Sequence, residues 1–209
     1  YYIASTGRPG PVLVDIPRDI QLEEIPYDEF KKLYEEEFEL EGYNPVYEGH
    51  KGQIKTAIKM IKDSKKPLII AGAGILKGHA YDELKEFVDK TNIPVAMTLL
   101  GLGSFPGNHE LALGMIGMHG TTYANYAANE ADLVIAAGMR FDDRVTGNPL
   151  KFLPNANIIH IDIDPAEIGK NKLIDVPIVG DVKNVLAELN RKIPKLSHTK
   201  WLDEVAKLK

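Results

Sequence analysis

The stretch "DLVIAAGMRFDDRVTGN" (Asp132 to Asn148) joins a short apolar run to a segment that packs Arg140, Asp142, Asp143 and Arg144 into five positions. Its first half has the length and side chains of a strand buried on both faces. Its second half is a turn rich in charge and glycine. A solvated turn accounts for those charges at little gain, since an exposed ion pair contributes about 0–1 kcal/mol. It gives no reason for them to follow a buried strand. In an open parallel sheet the loops beyond the carboxyl ends of the strands gather on one edge, and ligands bind there. Arg140 and Arg144, four residues apart, suit a pyrophosphate or a polarised ring edge, with the aspartates keeping them oriented. A strand that ends in a binding loop is the reading preferred.

The rest of the chain repeats this texture. "PLIIAGAG", "IPVAMTLLG", "NIIHIDID" and "VPIVG" are further apolar runs that end in glycine or in a small polar or charged residue. Between them lie helical patterns. Ile54, Ile58 and Ile61 share one face of "QIKTAIKMIKDS", and Leu84, Phe87 and Val88 share one face of "YDELKEFVDKT". "GTTYANYAANEA" is a small-residue helix, and Val182, Val185, Leu186 and Leu189 fall at i, i+3, i+4 and i+7 in "VKNVLAELNRKI". The link from Gly101 to Gly120 reads as loop. Strands that are apolar throughout must be covered on both sides, so the fold class is α/β, a parallel sheet of about five to six strands with helices on both faces.

Composition narrows the function classes. Of 209 residues 44% are apolar and 26% charged, which suits an ordinary globular chain. A net charge of −5 argues against a nucleic-acid surface or an anionic membrane. No apolar run approaches the roughly 20 residues of a transmembrane helix, and no signal-peptide pattern opens the chain. With no cysteine there is no disulfide or thiolate metal site, which fits a cytoplasmic protein. The chain opens without Met and stops inside a helical-looking "HTKWLDEVAKLK", so it reads as an excised fragment of something larger. Val12 to Ile16 reads as one short strand bracketed by Pro and Gly, the last strand of a preceding domain over residues 1–27. Residues 28–47, acidic and aromatic, read as a solvated linker. Residues 48–196 form the main domain, and 197–209 begin a further linker.

The candidate site follows the strand ends in turn. The first gives Gly72, Ala73 and Gly74, whose glycines either admit a ligand to the backbone or make a plain tight turn. The second gives Thr98 and Leu99. It carries no acidic residue, although a nicotinamide dinucleotide site wants one about 20 residues after its glycines. "MHGTTYAN" brings Met118, His119, Gly120 and Thr121, with Thr as N-cap and free helix-start amides facing an anion. The opening stretch supplies Gly138, Met139, Arg140, Asp142, Arg144 and Val145. In "IIHIDIDPAEIGK", Asp164 to Glu167 reads as a capping box with Pro at the first helical position. That leaves Asp162, beside Ile163, either to accept from ribose hydroxyls or to pair with Arg140 or Arg144. Gly180 and Asp181 close the edge, with Asp181 either capping the next helix or binding an adenosine hydroxyl. Together these ends suggest a long, polar, phosphate-bearing ligand.

With "GRPGPVLVDIPRDIQ", "MIGMHGTTYANYA", "GMRFDDRVTGN", "HIDIDPAEIGKNK" and "VGDVK", the chain resembles the central domain of the acetolactate synthase (acetohydroxyacid synthase) large catalytic subunits, which are thiamine-diphosphate enzymes. The resemblance implies a Rossmann-like central domain that holds FAD, a cofactor that carries no net electron transfer in the main reaction. It implies FAD contacts at the strand-end residues named above and at Arg8. It also places Met118, Asp143 and Arg144 near the substrate entrance. Ala73 is a departure, standing where many relatives have a third glycine. Thiamine diphosphate and Mg²⁺ are implied to sit outside this chain, together with the catalytic glutamate, so no catalytic residue is expected here. The implied parent decarboxylates pyruvate and joins the two-carbon unit to a second 2-ketoacid, pyruvate or 2-ketobutyrate, on the way to the branched-chain amino acids. The implied partners are the parent's other domains, identical subunits in a homodimer or homotetramer, and a regulatory small subunit. The competing readings are another FAD-holding carboligase such as glyoxylate carboligase, a scaffold domain with an empty nucleotide site, and an NAD-consuming deacylase. The last is disfavoured by "LKGHAYDEL" after "GAGI".

Overall fold

The computed structural model describes residues 1–35 and 40–209, which fall into two compact units, Tyr1–Pro45 and Val46–Lys209. The described residues of the first unit form three helices, α1 (Tyr2–Ser5), α2 (Arg18–Gln21) and α3 (Tyr27–Glu35). Tyr43 closes part of it, its hydroxyl donating to the Thr6 carbonyl at 3.0 Å while its ring meets Tyr2 edge-on. Two expectations change here. Val12–Ile16 forms no strand among the described residues, because a strand exists only when a partner takes its N–H and C=O groups. The expected linker carries α3, and its residues 36–39 lie outside the described residues.

In the second unit α4 (Lys51–Asp63) leads into β1 (Pro67–Ala71), followed by α5 (Ala73–Lys77) and α6 (Tyr81–Thr91). Next come β2 (Val95–Met97), β3 (Ala112–Met115), α7 (Thr122–Glu130), β4 (Leu133–Ala137) and α8 (Asp143–Thr146). The chain continues through β5 (Asn157–Asp162), β6 (Val176–Val179), α9 (Val182–Lys192) and α10 (Thr199–Ala206). The six strands form one parallel sheet in the order β3-β2-β1-β4-β5-β6. The chain therefore winds outward one way from β1 and then returns to wind the other way from β4.

Periodicity decides what each element buries. The apolar stripe of α4 puts Ile54, Ala57 and Ile61 inside, and that of α6 does the same for Leu84, Phe87 and Val88. Helix α6 stops at Asn92, whose φ of 52° is the left-handed conformation in which Asn is the commonest residue after glycine. Along the strands alternate residues feed opposite cores. Ile69, Ile135 and Ile159 face α4, α6 and α9, whereas Leu68, Val134 and Ile158 face α7 and α10. Burying one such side chain completely contributes about 1.5–3 kcal/mol, so both layers are needed.

Two expectations are corrected in this unit. The link between Gly101 and Gly120 contains β3, an edge strand, interrupted by Gly114 at φ +73° and paired to β2 with a register shift. The tail expected to begin a linker instead packs down: Trp201 is 1% exposed, and its indole N–H donates to the Pro67 carbonyl at 3.0 Å.

Candidate functional site

Because every strand pair is parallel, all six carboxyl ends lie on one edge, and with them every candidate residue except Arg8. Arg8 follows α1 in the first unit. Ligand crevices open where neighbouring strands send their connections to opposite faces, and here that is between β1 and β4.

The two tips at that point interlock through backbone. The Gly72 N–H donates to the Ala137 carbonyl at 3.0 Å and the Gly74 N–H to the Gly138 carbonyl at 2.8 Å. A Cβ on Gly72 would stand 2.3 Å from the Gly138 oxygen, and one on Gly138, whose φ is +60°, would stand 2.7 Å from the Gly74 Cα. These glycines thus let two loops approach each other. Sequence alone left ligand approach and tight turn open, and the loop-to-loop crossing is what requires glycine. Ala73 opens α5 and is half-buried.

Beyond β2, Thr98 is buried with its N–H on the Ala71 carbonyl, and Leu99 is 66% exposed. Beyond β3, Met118 is 65% exposed and His119 is also exposed. Gly120 turns tightly, since a Cβ there would lie 2.5 Å from the Met115 oxygen. Thr121 caps α7 as expected, accepting from the Ala124 N–H at 3.3 Å and donating to the Leu113 carbonyl at 2.7 Å. The loops after β3 and β4 meet where the Met118 N–H donates to the Arg144 carbonyl at 3.2 Å, beside Val145. They wall a cavity of about 410 Å³ that Met118 and Val145 share with Asn125 and Lys151.

The charges of the opening stretch divide into two pairs. Arg140 lies 3.6 Å from Asp142, and Arg144 lies 3.8 Å from Asp143 with both side chains more than three-quarters exposed. The Asp142 carboxylate also caps α8. The Arg144 backbone N–H is the main reason its pKa lies below the ordinary carboxylate value, with the Arg140 and Arg144 charges adding to the effect. Arg140 is left at the rim with almost half its side chain exposed.

On the far side of the edge, Asp162 is buried and accepts the Asp164 N–H at 2.9 Å. Ile163 is half-buried, and the Gly180 N–H donates to the Asp162 carbonyl at 3.0 Å. Asp181 caps α9, accepting from the Lys183 and Asn184 N–H groups at 2.9 and 3.3 Å. The capping box expected at Asp164 is not formed. Its carboxylate accepts from Ala166 two residues on, and Glu167 donates its N–H to the Asp164 backbone carbonyl. A chain that bends through a turn offers the side chain no helix to cap.

Three bracing side chains escaped sequence reasoning. Asn125 holds both the N–H and the C=O of Gly117, at 3.1 and 3.0 Å. Lys172 donates to the Pro149 and Phe152 carbonyls, and His160, fully buried, meets the Met139 carbonyl at 2.8 Å. The available signal was a polar residue at a position the pattern marks as buried, as His160 is within "NIIHIDID".

A doubly wound parallel sheet with its glycine-crossed switch point at the centre defines the doubly wound α/β class. Residues 54–189 match the family model described as thiamine pyrophosphate enzyme, central domain, and the chain belongs to that family. Among curated relatives it is similar to an acetolactate synthase large subunit of Corynebacterium glutamicum, 52% identical over 90% of this chain and 29% of the relative. It is similar also to a probable acetolactate synthase large subunit of Methanocaldococcus jannaschii, 50% identical over 100% of this chain and 36% of the relative. Acetolactate synthase isozyme 3 large subunit of Escherichia coli is 44% identical over 98% of this chain and 35% of its own length. The chain thus spans about a third of the length of the relatives it matches.

Proposed function

We propose that this chain is the central, FAD-binding domain of an acetolactate synthase large subunit. The carrying observation is the crossing of the β1 and β4 tips, which sets Arg140 at the rim of the switch point. The residues present fit the cofactor. Arg140 and the first amides of α7 supply positive charge for a pyrophosphate. Leu99 and Met118 expose apolar surface suited to ring faces. Asp162 and Asp181 bring carboxylates to the same edge. Bound there, FAD supplies a rigid planar body without net electron transfer in the main reaction.

In this reading the parent condenses two pyruvates, or pyruvate with 2-ketobutyrate, with loss of CO₂ in branched-chain amino acid synthesis, and the similarity to proteins named acetolactate synthase supports it. In this reading thiamine diphosphate and Mg²⁺ bind outside the chain. Among the described residues no group of three or more His, Asp or Glu side chains is placed to hold a metal ion. The domain's own tasks are to bind and orient FAD and to pack against the parent's other domains, its identical subunits and a regulatory small subunit. The expected compartment is the cytoplasm, and no helix among the described residues is long and apolar enough to cross a membrane.

Titrating the full chain with FAD tests the reading. The purified protein is expected to carry flavin colour or to regain it on adding FAD, and Arg140→Ala is expected to weaken that binding while leaving the melting temperature nearly unchanged. An Arg140→Ala protein that melts earlier and holds FAD normally would mark Arg140 as half of a surface ion pair.

A further inference from the structure

The residues on either side of Arg140 are both buried, Met139 2% and Phe141 4% exposed, while Arg140 between them reaches solvent. One side chain from the neighbouring strand touches both. His160, on β5 and fully buried, has its Nε2 2.8 Å from the Met139 carbonyl and its ring edge-on to Phe141, with centroids 5.1 Å apart. A carbonyl can only accept, so Nε2 carries the proton and donates. That leaves Nδ1 bare, buried and without a partner. Burial lowers the ring's pKa, against the opposing pull of the Met139 hydrogen bond, of Asp162, whose carboxylate lies 4.0 Å away, and of Glu167. Asn171 completes the support by donating to the Phe141 carbonyl at 2.8 Å.

A strand interior with no other demand would put an aliphatic residue here, since an unpartnered buried nitrogen is a cost. From these contacts we infer that His160 is the positioning residue for Arg140: its N–H and its ring fix Met139 and Phe141 so that the guanidinium between them is presented at the switch point. The inference rests on the reading of that point as an FAD site. It specifies which neutral tautomer works and why a histidine occupies an otherwise apolar strand face.

Two variants of the full chain separate positioning from bulk packing. His160→Phe keeps an aromatic ring against Phe141 and removes the donor. His160→Gln restores an N–H at the equivalent reach. Flavin fluorescence titration is expected to show FAD binding weakened about tenfold or more by His160→Phe and returned to within about twofold by His160→Gln. Hydrogen exchange at the amides of residues 139–141 is expected to rise in the first variant and not in the second. Unchanged FAD affinity in His160→Phe, or a loss that His160→Gln does not recover, overturns the assignment. If the unaltered chain binds no FAD, the proposed function falls, and the exchange measurement alone decides this inference: protection that is the same in all three proteins overturns it.

Discussion

On one face of the sheet α4, α6 and α9 lay down Ile54, Ile61, Leu84, Phe87, Val185 and Leu189 against strand aliphatics. On the other face α7 buries Ala124, Ala127 and Ala128 with Tyr123 partly buried beside them, and the loop that runs from Met139 to Leu153 fills much of the remaining space with Phe141 and Phe152. The first face is covered by regular helices whose stripes are large and apolar. The second is covered in part by irregular chain, whose backbone polar groups need partners. His160, Asn171 and Lys172 supply them, each binding a carbonyl of that loop. The difference teaches that one face is built for stability, and that the other gives up some of it to hold a shaped loop at the carboxyl edge of the strands.

The contrast breaks most severely at its stable side. Phe87→Ala is expected to cost about 3–5 kcal/mol in chemical denaturation while the FAD affinity of the molecules that remain folded is unchanged. A loss of affinity there would mean that the faces are not separable. Gly138→Ala, at the seam, should cost about 2 kcal/mol, since its φ of +60° disfavours a side chain and the new methyl meets the Gly74 backbone. Unlike the first variant, it should also abolish flavin binding.

A smaller effect comes from pH. Burial lowers the pKa of His160 from 6.5, and that of His198 in the same direction. The unfolded chain therefore takes up protons near that value that the folded chain refuses. Stability should be complete above about 6.5 and fall as pH drops toward the depressed folded values, by at most about 1.4 kcal/mol per pH unit for each histidine. His160→Gln should remove its share of the slope, leaving that of His198, which faces Asp132. Acid denaturation midpoints check this, and an unchanged slope would show that His160 does not titrate with folding. Arg140→Ala should give the smallest change in stability, within about 0.5 kcal/mol, because its ion pair is exposed. Its effect on FAD affinity should be large beside that small change in stability.

Most of the fold was legible because covering helices and buried strands leave periodic traces. Phe87 and Leu189 could be placed inside from their spacing alone. β3 was not legible: four residues interrupted by Gly114 carry too short a pattern, and only the open flank of β2 gives them a partner. Trp201 in the tail was similarly silent, since a helix of eight residues does not say what it packs on. At the edge, the identity of the tips was legible and their division of labour was not. Asp181 and Asp164 look like Asp142 in sequence, yet Asp181 caps a full helix, Asp164 closes a turn, and Asp142 caps four residues beside Arg140.

The sequence by itself determined the α/β class, five of the six strands, the edge on which charge and glycine collect, and the family resemblance, because each is written in local spacing and residue type. Only the tertiary structure decided that Gly72, Gly74 and Gly138 serve a crossing of two loops, and that His160 stands behind Arg140. Those facts depend on which strands become neighbours. Neighbours in this sheet lie up to 66 residues apart in the chain, as Ala71 and Ala137 do, and no local pattern records them.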